Sequence, residues 1–223
     1  MQLLFPFPSQ ADVSAHSYVP LASHAAALAG LQRLGTMHGF RGLRLVGQAG
    51  CGKTHLLHAW AAATGAMVWE AAGLPFLPPA GSTVVVDDVD TLDAIGQENV
   101  FHIYNSLYKS GGALVVASAV SITPHMPLLA DLRSRLLTLP EVELGQSTEA
   151  DLTQLLLKWA TDCQLTLKPD VVKYVLARAE RNPAMLHALV RQLDTLSLVE
   201  KRGVTLPLVR KVLEDVAQGT LQG

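Results

Sequence analysis

Residues 47–54, Gly47-Gln48-Ala49-Gly50-Cys51-Gly52-Lys53-Thr54, have the form G-x-x-x-x-G-K-T. Glycines at this spacing let successive backbone N–H groups turn inward around a phosphate, and a helix starting behind them adds its positive dipole end. Lys53 then reaches the β- and γ-phosphates, and the Thr54 hydroxyl is placed to ligate Mg²⁺. The setting agrees: Leu43–Val46 reads as a short strand entering the turn, and a helix is expected from Lys53 to about Ala63. The expected ligand is a nucleotide with Mg²⁺.

A second pattern completes this chemistry. Val84-Val85-Val86 is a β-branched run suited to a strand buried on both sheet faces, and it ends in Asp87-Asp88. A carboxylate at the carboxyl end of such a strand lies at the ligand-binding edge of the sheet, so Asp87 is expected at the Mg²⁺. Asp88 has two readings: the carboxylate that polarises an attacking water, or a cap for the following turn.

The elements needed to hold these residues are legible nearby. Helical spacing runs from about Ser23, a candidate N-cap, to Leu34, and again from near Gln97 to Lys109 with Phe101, Tyr104 and Tyr108 recurring. Ala66–Trp69 and Leu114–Ala117 read as strands, and the proline-rich 73–82 stretch as loop. Strand and helix in alternation argue a parallel sheet wrapped by helices. After Leu144 the texture changes to four expected helices. They open at a Thr148-x-x-Asp151 capping box, at Pro169, at Asn182-Pro183 and after Thr205-x-Pro207. The expected organisation is a tail over 1–9, an α/β domain over 10–145 and a helical domain over 146–223.

Composition narrows the function classes. With 49% hydrophobic and 16% charged residues in 223, the chain can build a real core and is no disordered segment. A formal charge of −2 and a pI near 6.4 argue against a broad basic nucleic-acid footprint. The mean hydropathy of +0.28 raises the membrane question, but the longest uncharged stretch, 110–130, is broken by Gly111, Gly112, Pro124 and Pro127. No basic flank precedes Arg33, which argues against a secretory signal, and two cysteines form no disulfide framework. A cytoplasmic protein is expected.

The glycine loop, the strand ending in two aspartates and the helical C-terminal region together resemble an AAA+ module. More narrowly, Gly-Lys-Thr-His-Leu-Leu-His-Ala (52–59), Val-Asp-Asp-Val (86–89), Phe-His-Ile-Tyr-Asn-Ser-Leu (101–107) and Leu-Arg-Ser-Arg-Leu (132–136) resemble the ATPase core of the bacterial replication initiator DnaA. The similarity spans about Tyr18 to Val216 without DnaA's N-terminal interaction domain or C-terminal helix-turn-helix domain. It narrows to the Hda family, DnaA-related proteins that promote regulatory inactivation of DnaA.

That resemblance implies an AAA+ α/β domain followed by a helical lid. It matches Arg135 to the arginine finger that the family projects into a neighbour's nucleotide site, a role suited to a planar, permanently charged fork. A solvated arginine, or a partner for Asp131, is the plainer reading. It also implies the partners: DnaA, the sliding clamp (β subunit) of DNA polymerase III, a possible homo-oligomer, and DNA met only through the clamp, hence a nucleoid- or replisome-associated location. Gln2-Leu3-Leu4-Phe5-Pro6-Phe7 resembles the short clamp-binding motif. Gln2 would exchange amide hydrogen bonds with a pocket rim, and Leu3, Phe5 and Phe7, extended by Pro6, would supply apolar surface.

The sequence also departs from the family. Where a lid arginine usually faces the γ-phosphate it has Ala184, with Arg181 nearest, and after strand 114–117 only Ser118 stands where a polar sensor is usual. Weak or absent ATP hydrolysis by the chain alone is therefore expected, with activation of hydrolysis by DnaA as its role. An autonomous ATPase such as a helicase loader, and a non-catalytic DnaA-binding adaptor, are the alternatives. Smaller signals are His55 and His58 at i, i+3, a spacing for metal that lacks a third ligand, and Cys51, whose thiol could be activated by Lys53 and the helix start or be an inert small side chain. Trp159 with Leu155 and Leu156 reads as lid core, and Arg178, Arg181, Arg191, Lys201 and Arg202 as a solvated or partner-facing surface.

Overall fold

Four mostly apolar runs and one Glu-Val-Glu triplet become the strands of one parallel sheet. The computed structural model describes residues 18–69, 77–179, 181–200 and 203–219. The strands are β1 (Arg41–Val46), β2 (Met67–Trp69), β3 (Thr83–Val86), β4 (Ala113–Ser118) and β5 (Glu141–Glu143), in the order β2-β3-β4-β1-β5. Val46 pairs with Ser118 and Thr83 with Ala113, so β1, β3 and β4 end at one common edge. The helices of this part are α1 (Ala25–Leu34), α2 (Lys53–Thr64), α3 (Ala94–Ser110) and α4 (Ala130–Leu137).

Because successive strand residues face opposite sides, the sheet feeds two cores. Val84, Val86, Leu114 and Val116 pack with Val100, Ile103, Leu132 and Leu136 of α3 and α4. Leu43, Leu45, Val85, Val115 and Ala117 pack on the other face with Leu31 of α1 and Leu56 and Leu57 of α2. These strands are buried on both faces, as a β-branched run in a parallel sheet should be.

The chain divides into two compact units: one runs to Leu144, and the other is Gly145 onward together with Leu21–Ser23. The second unit holds α5 (Glu149–Asp162), α6 (Pro169–Arg178), α7 (Pro183–Glu200) and α8 (Leu206–Gly219) around a core that includes Leu156, Val175, Leu193 and Val209. Its capping box is complete: the Thr148 hydroxyl accepts from Asp151 N–H, and Thr148 N–H donates back to the Asp151 carboxylate. Asp151 also accepts from Ala22 N–H at 3.0 Å. Burial raises its carboxyl pKa, but the bonds from Thr148 and its neighbours outweigh that and hold it below the ordinary 3.8.

Three local expectations need correction. Ser23 is not the N-cap of α1; a 3-10 turn occupies Ala22–His24, and His24 stands at the cap position without a side-chain cap bond. Asp93 caps α3 by accepting from Gly96 N–H, so that helix starts at Ala94 rather than near Gln97. Neither α4 nor β5 was expected from the sequence. Among the described residues no helix is long and apolar enough to cross a membrane.

Candidate functional site

The glycine loop leaves β1 at the carboxyl edge of the sheet and enters α2 directly. Gly50 (φ +79°) and Gly52 (φ +98°) hold left-handed backbone that a side chain would strain. A Cβ on Gly47 would lie 2.7 Å from Cys51 Sγ and 3.1 Å from Leu144. Gln48 O accepts from Cys51 N–H at 3.2 Å, which closes the turn around Ala49. Lys53 is 6% exposed, and its ammonium donates to Gly47 O at 2.6 Å and Gln48 O at 3.4 Å. The eight residues therefore form a cupped loop with one buried cation folded over it.

Asp87 leaves β3 at the same edge. Its Oδ2 accepts from the Thr54 hydroxyl at 2.6 Å and its Oδ1 from Asp88 N–H at 2.9 Å. Thr54 and Asp87, 33 residues apart in the chain, are thus brought into contact. Among the described residues no three His, Cys, Asp or Glu side chains could hold a metal by themselves. A hydroxyl, one carboxylate and space for phosphate oxygens and water is nevertheless a donor set that suits Mg²⁺. The same finding gives no support to a metal at His55 and His58.

Asp88 is exposed and sits at φ +46°, an unusual backbone for a non-glycine residue. Burial and the neighbouring Asp87 charge raise its carboxyl pKa, with Lys53 opposing. Asp88 stands at the cap position of the 3-10 turn Val89–Thr91 but makes no side-chain cap bond. Asp90, in that turn, accepts from Ala119 N–H at 3.0 Å and so ties the turn to the end of β4. Ser118 is buried with its hydroxyl donating to Val120 O at 2.8 Å, so it is spent locally rather than offered at the sheet edge.

The activated-thiol reading of Cys51 is overturned. The side chain is buried in the α1–α2 core, and that burial raises the thiol pKa more than the Lys53 charge lowers it. Behind it lies a group the sequence did not flag. His24 is 2% exposed, and its Nε2 lies 3.1 Å from Cys51 O, while its Nδ1 lies 3.0 Å from the Tyr18 hydroxyl. The one available signal was a histidine at the start of an alanine-rich helix.

Arg135 occupies the other face of the sheet from α2. Its guanidinium lies 5.3 Å from the Phe101 ring centroid and 5.2 Å from that of Tyr104, in cation–π range, and makes no ion pair with Asp131. The rings and the arginine line an open cleft of about 760 Å³ that continues to Tyr108 and Thr138. Phe40, one residue before β1, packs against Tyr104 at 4.8 Å and Tyr108 at 5.3 Å, so this aromatic cluster reaches the edge where β1 begins. The glycine loop leaves the opposite end of that strand. Arg133, two residues away, donates to Met126 O and Leu128 O and holds the segment before α4.

In the second unit Arg181 lies 3.7 Å from Glu149 in an exposed pair, and Ala184 N–H donates to Asn182 Oδ1. Trp159 packs on that unit's core and meets the His187 ring in a T-shaped contact. Arg178 stacks over Tyr174 at 4.1 Å. The clamp-motif residues Gln2, Leu3, Phe5, Pro6 and Phe7 lie outside the described residues, as do Lys201 and Arg202.

Known proteins share both parts of this architecture. Residues 149–213 match the family described as Hda, lid domain. Domain III of the Thermotoga maritima replication initiation protein DnaA superposes with a TM-score of 0.76 at 19% identity, over 93% of this chain and 98% of that one. AMPPCP-bound DnaA from Aquifex aeolicus gives 0.62 at 20% identity, over 83% of this chain and 65% of that one. The Thermotoga maritima RuvB Holliday junction branch migration motor gives 0.63 at 19%, over 86% and 66%. Residues 149–213 thus match the Hda lid family, and the chain as a whole has the fold seen in domain III of DnaA.

Proposed function

We propose that this protein is a nucleotide-bound, clamp-tethered regulator that presents Arg135 to ATP-bound DnaA and stimulates ATP hydrolysis there, which prevents re-initiation of replication. The observation that carries the reading is the position of Arg135. It stands on the α3–α4 side, in a cleft open to solvent, whereas the chain's own glycine loop leaves the far edge of the sheet and continues into α2 on the other side. An arginine so placed lies on the side away from its own loop, where it would be presented to a neighbour. Stacking on Phe101 and Tyr104 limits the rotamers of a long side chain in a cleft open to solvent.

The chain's own nucleotide is the other half of the proposal. Gly47–Thr54 would hold the phosphates of ADP or ATP, with Lys53 as the cation, and Thr54 and Asp87 would hold Mg²⁺. Bound Mg²⁺ neutralises phosphate charge. AMPPCP in a DnaA of this fold supports a nucleotide here. Asp88 is retained for polarising water, but Ser118 is turned inward and position 184 is alanine, which supports weak turnover by the chain alone. The tail, Gln2 to Phe7, would tether the protein to the clamp.

The test is reconstitution with ATP-bound DnaA and clamp loaded on DNA. The wild-type protein is expected to accelerate ATP loss from DnaA only when the clamp is present, and Arg135→Ala to abolish the acceleration. Gln2→Ala with Leu3→Ala should remove clamp binding while nucleotide binding persists. Full stimulation by Arg135→Ala would sink the finger assignment, and turnover independent of DnaA would favour an autonomous ATPase.

A further inference from the structure

His24 is buried, and both of its ring nitrogens are engaged. Its Nε2 faces a backbone carbonyl, Cys51 O, at 3.1 Å. A carbonyl can only accept, so Nε2 carries the proton. In the neutral ring Nδ1 must then accept, and the Tyr18 hydroxyl at 3.0 Å is its donor. Burial pushes the Tyr18 hydroxyl up to about 12, so it keeps its proton across the physiological range.

The consequence lies in the geometry of one peptide. The Cys51–Gly52 unit is planar and trans, so its C=O and its N–H point in opposite directions. Holding Cys51 O against His24 therefore aims the Gly52 N–H away from His24. The fit is close: a Cβ on Gly52 would lie 3.1 Å from His24 Cε1, and the Tyr18 ring stacks on His24 and meets the ring of His55, the residue after Thr54, in a T-shaped contact. The ring is wedged between α1, the glycine loop and the first turn of α2.

We infer that His24 is a positioning residue for the phosphate-binding loop, locking the Cys51–Gly52 peptide so that its N–H faces the β-phosphate, with Tyr18 fixing the tautomer. This rests on the reading of Gly47–Thr54 as a nucleotide site and deepens it. Tyr18 and His24 lie 29 or more residues before Lys53 and belong to no recognised part of the loop pattern.

The experiment measures ADP and AMP binding to this 223-residue chain by calorimetry. His24→Phe keeps a flat ring and removes the Nε2 donor, and His24→Gln restores an N–H at similar reach. The expected result is a loss of ADP affinity of about 3- to 10-fold in His24→Phe, the range of one net hydrogen bond. AMP, which lacks the β-phosphate, should bind as in wild type, and His24→Gln should return ADP affinity to within about twofold of the wild type. Tyr18→Phe, a milder change, should shift the ADP-to-AMP ratio in the same direction even if His24→Phe does not fold. Unchanged ADP affinity in His24→Phe, equal losses for ADP and AMP, no rescue by His24→Gln, or an unchanged ratio in Tyr18→Phe would each overturn the inference. A wild-type protein that binds neither nucleotide would overturn the nucleotide reading itself, and this inference with it.

Discussion

Replacing Lys53 with alanine removes a single buried cation from the glycine loop, and its effects on ligand and fold can be separated. Opposite unit charges about 4 Å apart at an effective dielectric near 20 attract by about 4 kcal/mol. At about 1.4 kcal/mol per factor of ten, losing that attraction weakens ADP binding roughly a thousandfold. The free protein changes less. Gly47 O and Gln48 O lose the ammonium that now bonds them, a cost of about 1–3 kcal/mol partly offset because a charge is no longer buried. Thermal unfolding reads both terms. At 100 times its dissociation constant ADP stabilises the wild type by about 2.7 kcal/mol. For a chain of this size that raises the unfolding midpoint by about 5–11 °C. The same ADP concentration is only about a tenth of the variant's dissociation constant, so its stabilisation falls below about 0.1 kcal/mol and no shift should be measurable. The free variant should melt a few degrees lower than the free wild type. A folded Lys53→Ala protein that keeps the wild-type ADP-induced shift, in differential scanning fluorimetry checked by calorimetry, would falsify the assignment of the loop.

Other expectations follow from individual contacts. Arg133→Ala should lower stability by about 1–3 kcal/mol in a urea titration, because its guanidinium holds two backbone carbonyls. Arg135→Ala should cost about 1 kcal/mol or less, since it loses only ring contacts at a half-exposed position; the reverse order would contradict the roles given to the two arginines. Asp88→Asn should stabilise the ligand-free protein slightly, because the wild-type carboxylate is disfavoured by burial and by Asp87, and asparagine tolerates φ +46° well. If the chain has any ATPase of its own, the same variant should lose it. Asp151 makes the helical unit acid-sensitive: its carboxyl lies below 3.8 in the folded state, so its stabilisation is complete above that value and is lost as pH falls through the depressed one. Acid unfolding followed by circular dichroism should therefore show a flatter pH dependence below 3.8 in Asp151→Asn than in the wild type.

Much of this protein is written locally. The glycine loop is legible because eight consecutive residues supply both the turn and the cation, and Val84–Val86 because a β-branched run before two acids has few other uses. The helices after Leu144 announce themselves through caps: the Thr148–Asp151 box, Pro169 and Asn182-Pro183. Other features needed the tertiary structure, since their cause lies far along the chain. The three-residue β5 exists only because Arg44, Leu45 and Val46 of β1 offer it a ladder, and α4 forms where Leu132 and Leu136 find the core under α3. Arg133 and Arg135 are two residues apart and so point to different sides of one helix. Only the position of α3 decides that one grips backbone while the other lies on aromatic rings. Cys51 shows the competition most directly. Its neighbours in sequence, a lysine and a helix start, argue for a lowered thiol pKa, but desolvation by side chains from α1 and α2 outweighs them. His24 reaches the same loop across 27 residues, a link set by the packing of α1 against the sheet and invisible to any local pattern.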